Sequence, residues 1–334
     1  MRILILGGTL FLGRHLVEAA VRRGHDVTLF NRGRTNPHLY PDLEHLHGDR
    51  DSGDLAALNG RRWDAVIDTS AYLPRVAAAS ATVLADAVEH YTFVSSLSVF
   101  TPPSKDGLSE TDPVSTIADE ASEDVQAHYG PLKALCERAV ESAMPGRSLA
   151  LRSGLLAGPH DPTNRFTYWA RRVALGGEIL VPATDDPVQL IDARDAADWT
   201  IAAAEERLAG TFHVTGRPFP FPAMLEECAA AAGSRPRFAW VDEGFLVDRG
   251  VEPFADIPLW LALGRNPEWR GFFRADVSRA LAHGLTLRPL RETARDILGS
   301  AGQEAGITFG TGVRPAGIDP AREAELLEAW AARA

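Results

Sequence analysis

Apolar, β-rich runs alternate with helix-period segments through the first two hundred residues of this 334-residue chain. That alternation is the pattern of a parallel sheet wrapped by helices on both faces. Strands covered on both faces read as continuous hydrophobic runs rather than alternating ones. The runs predict strands at Arg2 to Leu6, Asp26 to Phe30, Leu43 to His47, Ala65 to Asp68, Tyr91 to Ser95 and Leu149 to Arg152, with a later one at Thr211 to Val214. Helices are predicted at Leu12 to Arg23, Pro74 to His90 and Tyr129 to Ala143, the middle one opened by Pro74 at a position where a missing N–H costs nothing. The expected fold class is α/β, a doubly wound parallel sheet.

With 45% hydrophobic residues the chain can bury a substantial core. A net charge of −11 opposes a nucleic-acid partner, because a phosphate backbone calls for a basic face. Met1 runs directly into strand-like sequence, with no basic leader or apolar h-region, and no apolar run reaches membrane-spanning length. The expectation is a cytoplasmic protein that meets no membrane. Cys136 and Cys228 lie far apart in helix-like segments and read as buried small hydrophobes. His45 and His47 alternate in a strand-like run, and His160 precedes Asp161 in a loop; neither pair has a recognised metal spacing, so no metal site is expected. Trp169, Trp199, Trp240, Trp260 and Trp269 read as packing residues, some of which could line a pocket.

The first strand runs straight into Gly7, Gly8, Thr9, Leu10, Phe11, Leu12 and Gly13 and then into a helix. A dinucleotide pyrophosphate needs this context: glycines admit the phosphate to the backbone, and a helix N-terminus supplies N–H donors and a positive dipole end. The second strand ends at Asn31 and Arg32, where an NAD-specific chain would place an acid on the ribose hydroxyls. Asn31 is uncharged, and Arg32 and Arg34 would meet a 2′-phosphate, so NADP is expected in preference to NAD.

Tyr129 and Lys133 stand four apart at the start of a helical segment and therefore share a face. An ammonium beside a phenol lowers its pKa, and the phenol can then exchange a proton with an alcohol or carbonyl. The chain holds only Lys105 and Lys133 as lysines and five tyrosines, so this spacing is expected by chance only about 0.03 times. Between the two prospective site elements, Thr101 to His128 is polar and acidic, a long surface excursion that reads equally as a substrate lid or an ordinary loop.

The glycine turn, the run FVSSLSVF and the segment YGPLK, in that order, resemble the extended short-chain dehydrogenase/reductase family, which includes the NAD-dependent epimerases and dehydratases. The family usually carries G-x-x-G-x-x-G, and Leu10 stands here in place of the middle glycine. The resemblance implies a Rossmann-type domain over residues 1–158. Residues 159–334 would be mostly a substrate-binding region, with about 187–215 returning to the Rossmann sheet. It implies Ser96 as the hydroxyl that orients the reacting oxygen, with Ser95 and Ser98 as neighbouring candidates. Tyr129 would be the general acid/base, and Lys133 its tuner and ribose anchor. It further implies that Asp49 and Arg50, after Gly48, contact adenine, and that Thr69, Ser70, Ala71 and Ser95 line the cofactor.

Leu97 and Ser98 stand where the family's sugar-nucleotide dehydratases carry acids, which argues against water elimination. Leu155 after Arg152, and Val188 and Gln189 before Leu190 and Ile191, depart from the segments that meet a nucleotide sugar's diphosphate. The expected activity is NAD(P)-dependent oxidoreduction or epimerisation of a secondary alcohol or ketone of a small molecule. The alternative is a cofactor-binding regulatory or RNA-binding protein of the same fold without turnover. A homodimer through the Tyr-Lys helix could use Ala134, Leu135 and Ala139, which equally suit packing within the chain.

Overall fold

The computed structural model describes residues 1–300 and 315–333. Residues 301–314 and 334, parts of the expected substrate-binding region, lie outside the described residues. The main sheet contains seven parallel strands: β1 (Arg2–Leu6), β2 (Asp26–Asn31), β3 (Glu44–His47), β4 (Ala65–Asp68), β5 (His90–Ser96), β6 (Ser148–Ser153) and, later in the chain, Gly210–Val214. The order across the sheet is Gly210–Val214, β6, β5, β4, β1, β2, β3. It reverses direction between β1 and β4, and the crevice at such a reversal is where open α/β sheets take ligands.

Three pairs of shorter strands follow β6. β7 (Leu155–Ala157) pairs with β10 (Leu190–Asp192), β8 (Glu178–Pro182) with Arg237–Val241, and β9 (Pro187–Val188) with Phe219–Pro220. Of the segment expected to return to the main sheet, Gly210–Val214 does so beside β6, while Pro187–Val188 and Leu190–Asp192 belong to the small sheets. A separate apolar cluster lies over this C-terminal part, with Phe166, Trp169, Phe221 and Trp260 fully buried.

The helices that bear on the site are α1 (Leu12–Arg22), α2 (Pro74–Leu84), α3 (Val125–Ala143) and α4 (Arg165–Ala174). α2 stops at Leu84, six residues before the predicted end, because the chain must turn there to enter β5 at His90; the N–H groups of Ala87 and Val88 both fold back onto the Leu84 carbonyl. α3 starts four residues earlier than predicted. The Asp124 carboxylate caps it by accepting from the Ala127 N–H at 3.0 Å. Pro131, inside this helix, lacks the N–H that would bond the Ala127 carbonyl, and its ring crowds that group. The helix kinks accordingly: His128 has φ −128°, and Tyr129 begins the straight second part. Ala134 and Leu135 are buried within the chain, Ala134 against Val99, Phe100 and Leu108.

Arg50, expected at the adenine, sits in a buried charge cluster. Its Nη1 donates to Asp68 at 2.8 Å and its Nη2 to the Ser70 hydroxyl at 2.7 Å, and the Tyr91 hydroxyl donates to the same Asp68 carboxylate at 2.9 Å. Arg50 holds the Asp68 carboxyl below its usual range against the effect of burial. Breaking a buried pair from one side leaves an uncompensated charge. Arg50→Met should therefore lower the unfolding free energy measured in urea by roughly 3–5 kcal/mol. A loss of under about 1 kcal/mol would show that the pair carries no such load.

Candidate active site

The turn after β1 is shaped by its glycines. Gly7 has φ +118°, and a Cβ there would come within 2.3 Å of the Thr69 hydroxyl; a Cβ on Gly13 would come within 2.9 Å of the Gly8 nitrogen. The helix start and the turn are thus closer than any side chain would permit. Leu10, in place of a middle glycine, is half-buried against the α1 side of the core, and its carbonyl accepts from the Gly13 N–H at 2.9 Å. Asn36, which the sequence did not single out, buttresses the turn by donating to the Thr9 carbonyl at 2.9 Å.

Among the described residues, the N–H groups of Leu10, Phe11 and Leu12 donate to no acceptor. Three successive open donors at a helix start, over a floor that glycine keeps low, fit a pyrophosphate. At the end of β2 the Asn31 amide is committed to the backbone: it donates to the Gly7 carbonyl at 3.2 Å and accepts from the Gly33 N–H at 2.8 Å. Its effect is to hold the loop on which Arg32 and Arg34 stand exposed, with no hydrogen-bond partner among the described residues. Thr69 and Ser70 both hydrogen-bond the Leu6 carbonyl, tying the end of β4 to the end of β1. Asp49 caps the turn at Arg50 by accepting from the Asp51 N–H.

On the other side of the reversal, Lys133 is buried and donates to the carbonyls of Ala71 at 2.9 Å and Val94 at 2.7 Å, with its ammonium 4.0 Å from the centre of the Phe93 ring. Burial pushes it down to about 8. Tyr129 lies one turn away, half-buried, with its ring 6.2 Å from that of Tyr72. Burial, followed by Tyr72, pushes the phenol up to about 12, while a hydrogen bond with Ser96 pulls the other way. The expected lowering of the phenol by Lys133 is therefore not what this arrangement produces, because the ammonium is turned onto two carbonyls. Tyr129 is protonated at neutral pH. Ser96 also accepts from the Ser98 N–H at 3.1 Å, which fixes its hydroxyl at the head of the turn Leu97–Phe100.

Ser95 points away from Ser96, into a second buried cluster. Its hydroxyl donates to Glu137, which also receives Arg152 through Nε at 3.0 Å and Nη2 at 2.8 Å. Arg152 reaches on to the Glu110 carbonyl at 3.2 Å, and the Glu110 carboxylate accepts from the His213 N–H at 3.0 Å. The excursion between Thr101 and His128 is anchored by these contacts, and further by Ser115 N–H on the Val99 carbonyl at 2.7 Å and Asp276 N–H on the Leu108 carbonyl at 2.8 Å. Sequence reasoning missed Glu137, although it stands on the same helical face as Tyr129 and Lys133, four residues after the lysine. Gln189 is likewise structural, donating to the carbonyls of Gly216 and Ala275 and accepting from the Ala275 N–H.

Residues 3–214 match the NAD dependent epimerase/dehydratase family, and the chain belongs to that family. It is 29% identical over 259 residues to the 2-alkyl-3-oxoalkanoate reductase of Stenotrophomonas maltophilia (strain K279a), across 70% of this chain and 76% of that one. It is 25% identical over 256 residues to the chloroplast stem-loop binding protein of 41 kDa b of Arabidopsis thaliana, across 70% of this chain and 63% of that protein's length. Among solved structures, the UDP-N-acetylglucosamine 4-epimerase of Bacillus cereus has the same fold, with a TM-score of 0.66 at 18% identity over 89% of this chain and 98% of that one.

The Lys133 site has a consequence for stability. Its folded value, about 8, lies below the roughly 10.4 of an unfolded lysine. Between those values the unfolded chain binds the extra proton, so this group's contribution to stability rises with pH. The stability of the wild type relative to Lys133→Met should increase by about 2 kcal/mol from pH 7 to 9.5 in chemical denaturation. A difference independent of pH would contradict the burial of the charge.

Proposed function

We propose that the chain is an NAD(P)-dependent reductase, dehydrogenase or epimerase acting on a secondary alcohol or ketone of a small molecule, with Tyr129 as general acid/base. The observation that carries this reading is that the N–H groups of Leu10, Phe11 and Leu12 after β1 are open, while Ser96, Tyr129 and Lys133 gather at the ends of β4 and β5 on the other side of the sheet's reversal. A bound nicotinamide would supply the two-electron redox chemistry. The residues do the rest. Ser96 hydrogen-bonds and orients the substrate oxygen. Tyr129, protonated at neutral pH, delivers its proton to that oxygen in the reducing direction and takes one back in the oxidising direction. Lys133 has three donors and two are committed to Ala71 and Val94, which leaves one for a ribose hydroxyl.

Arg32 and Arg34, exposed beside an uncharged Asn31, favour NADP over NAD. Leu97 and Ser98 offer no acid or base for a 4,6-dehydratase. Residues 159–334, whose described part holds an apolar cluster of its own, are the region that would shape the substrate pocket. The stem-loop binding relative raises RNA binding as a second reading, which the charge of −11 opposes. We read the partner as a small molecule rather than nucleic acid or membrane. Any homodimer would have to form without Ala134 and Leu135, which the chain itself covers.

Fluorescence titration with NADPH and NADH tests the reading. NADPH should bind the more tightly, Tyr129→Phe should still bind it, and Arg32→Ala should weaken NADPH about tenfold, roughly one lost charge-assisted contact, and NADH far less. Cofactor retained on purification would favour an epimerase. RNA retention at physiological salt, or no binding of either dinucleotide, would sink the proposal.

A further inference from the structure

Beyond the end of β2 an open cavity of about 330 Å³ is lined by Asn31, Arg32, Gly33, Pro37, His45 and His47. His45 and His47 alternate on β3 and so face the same side, with ring centroids 6.4 Å apart; the strand register sets His47 beside Asn31. Gly33 has φ +66°, and a Cβ there would approach the His47 ring to 3.1 Å, so the glycine lets the loop that bears Arg32 lie against that ring.

Each imidazole has one nitrogen on a carbonyl: His45 Nε2 on Tyr40 at 3.0 Å and His47 Nδ1 on Asn31 at 3.4 Å. A carbonyl can only accept, so these nitrogens carry the hydrogen in every state. The ring nitrogens left open are therefore His45 Nδ1 and His47 Nε2, and among the described residues neither of these atoms has a hydrogen-bond partner.

Among the described residues, no carboxylate lines the cavity. From the segment after β2, Arg32 faces it, while Arg34, His38 and Asp42 are exposed nearby. Glu44, the neighbour of His45 on the strand, is paired with Arg61 and accepts from Thr28. On α1, Glu18 and the Arg14 carbonyl take up the Tyr40 hydroxyl.

We propose that His45 and His47 form, with Arg32, a proton-linked receptor for the 2′-phosphate of the cofactor. The inference rests on the reading that NADP is preferred. An unprotonated ring nitrogen is an acceptor and repels a phosphate oxygen. Protonated, it becomes a charged donor. Seating the phosphate therefore draws protons onto His45 Nδ1 and His47 Nε2. NADH, lacking that phosphate, draws none.

Titration calorimetry at pH 7.5 in Tris and in HEPES, whose ionisation heats differ, measures the uptake. A free phosphate monoester, with its second pKa near about 6, is already a dianion there and contributes no uptake of its own. Expected is uptake on the order of half a proton or more for NADPH and none for NADH. The NADPH dissociation constant should rise about fivefold from pH 7 to 8.5. Combining His45→Gln with His47→Asn should abolish both effects, with near-ultraviolet circular dichroism reporting whether the variant is folded; if it is not, His47→Asn alone, at an exposed position, should halve the uptake. NADPH binding more tightly than NADH without proton uptake would overturn this inference and leave the cofactor preference standing. Equal affinity for the two dinucleotides would overturn both.

Discussion

A lysine ammonium buried under the end of a parallel sheet organises this molecule. Among the described residues no carboxylate forms an ion pair with Lys133; two backbone carbonyls, of Ala71 beyond β4 and Val94 in β5, and the face of Phe93 hold the charge. A buried ammonium tolerates little displacement, since each lost acceptor leaves an unsatisfied charged donor. α3 is thereby pinned to the ends of two central strands. Tyr129 is carried with it to the neighbourhood of Tyr72, beyond β4, and of Ser96, at the end of β5. The kink that Pro131 forces on the helix sets where its straight part begins, and Tyr129 is the residue at that point.

Two buried ionic clusters frame the lysine. Asp68, Arg50 and Tyr91 knit β4 and β5 to the turn after β3, and Glu137, Arg152 and Glu110 bind α3, β6 and the long excursion to one another. Ion pairs removed from water return little net stability compared with apolar packing. They do fix geometry, because a carboxylate shared by several donors admits few arrangements. In this chain one shared carboxylate, Asp68, takes Arg50 and Tyr91, and the other, Glu137, takes Ser95 and Arg152; the excursion that reads from sequence as a lid or a loop is anchored to Glu137 through Arg152.

The sheet was legible because its strands are short apolar runs with little ambiguity of period, and the observed strands differ from the expected ones only by a residue or so at their ends. That Tyr129 and Lys133 share one helix was legible as well, since four residues on a helix is about one turn; that the ammonium turns to the carbonyls of Ala71 and Val94 was not. What the sequence could not disclose are contacts between residues distant along the chain. Arg50 reads as a cofactor ligand until Asp68 is seen beneath it; Asn31 reads as an uncharged residue at the cofactor until its amide is seen bonded to Gly7 and Gly33. The early start of α3 was hidden because Val125 to His128 carry no apolar periodicity, and the Asp124 cap alone does not announce a helix.

The three N–H groups after β1 decide whether a dinucleotide binds here. Hydrogen–deuterium exchange of the peptides that span Leu10 to Leu12, followed by mass spectrometry with and without NADPH, reads them directly. Strong protection there, accompanied by slower exchange around Asn31 to Arg34 and near Tyr129, is the result this account predicts. Unchanged exchange at Leu10, Phe11 and Leu12 under saturating NADPH would contradict it.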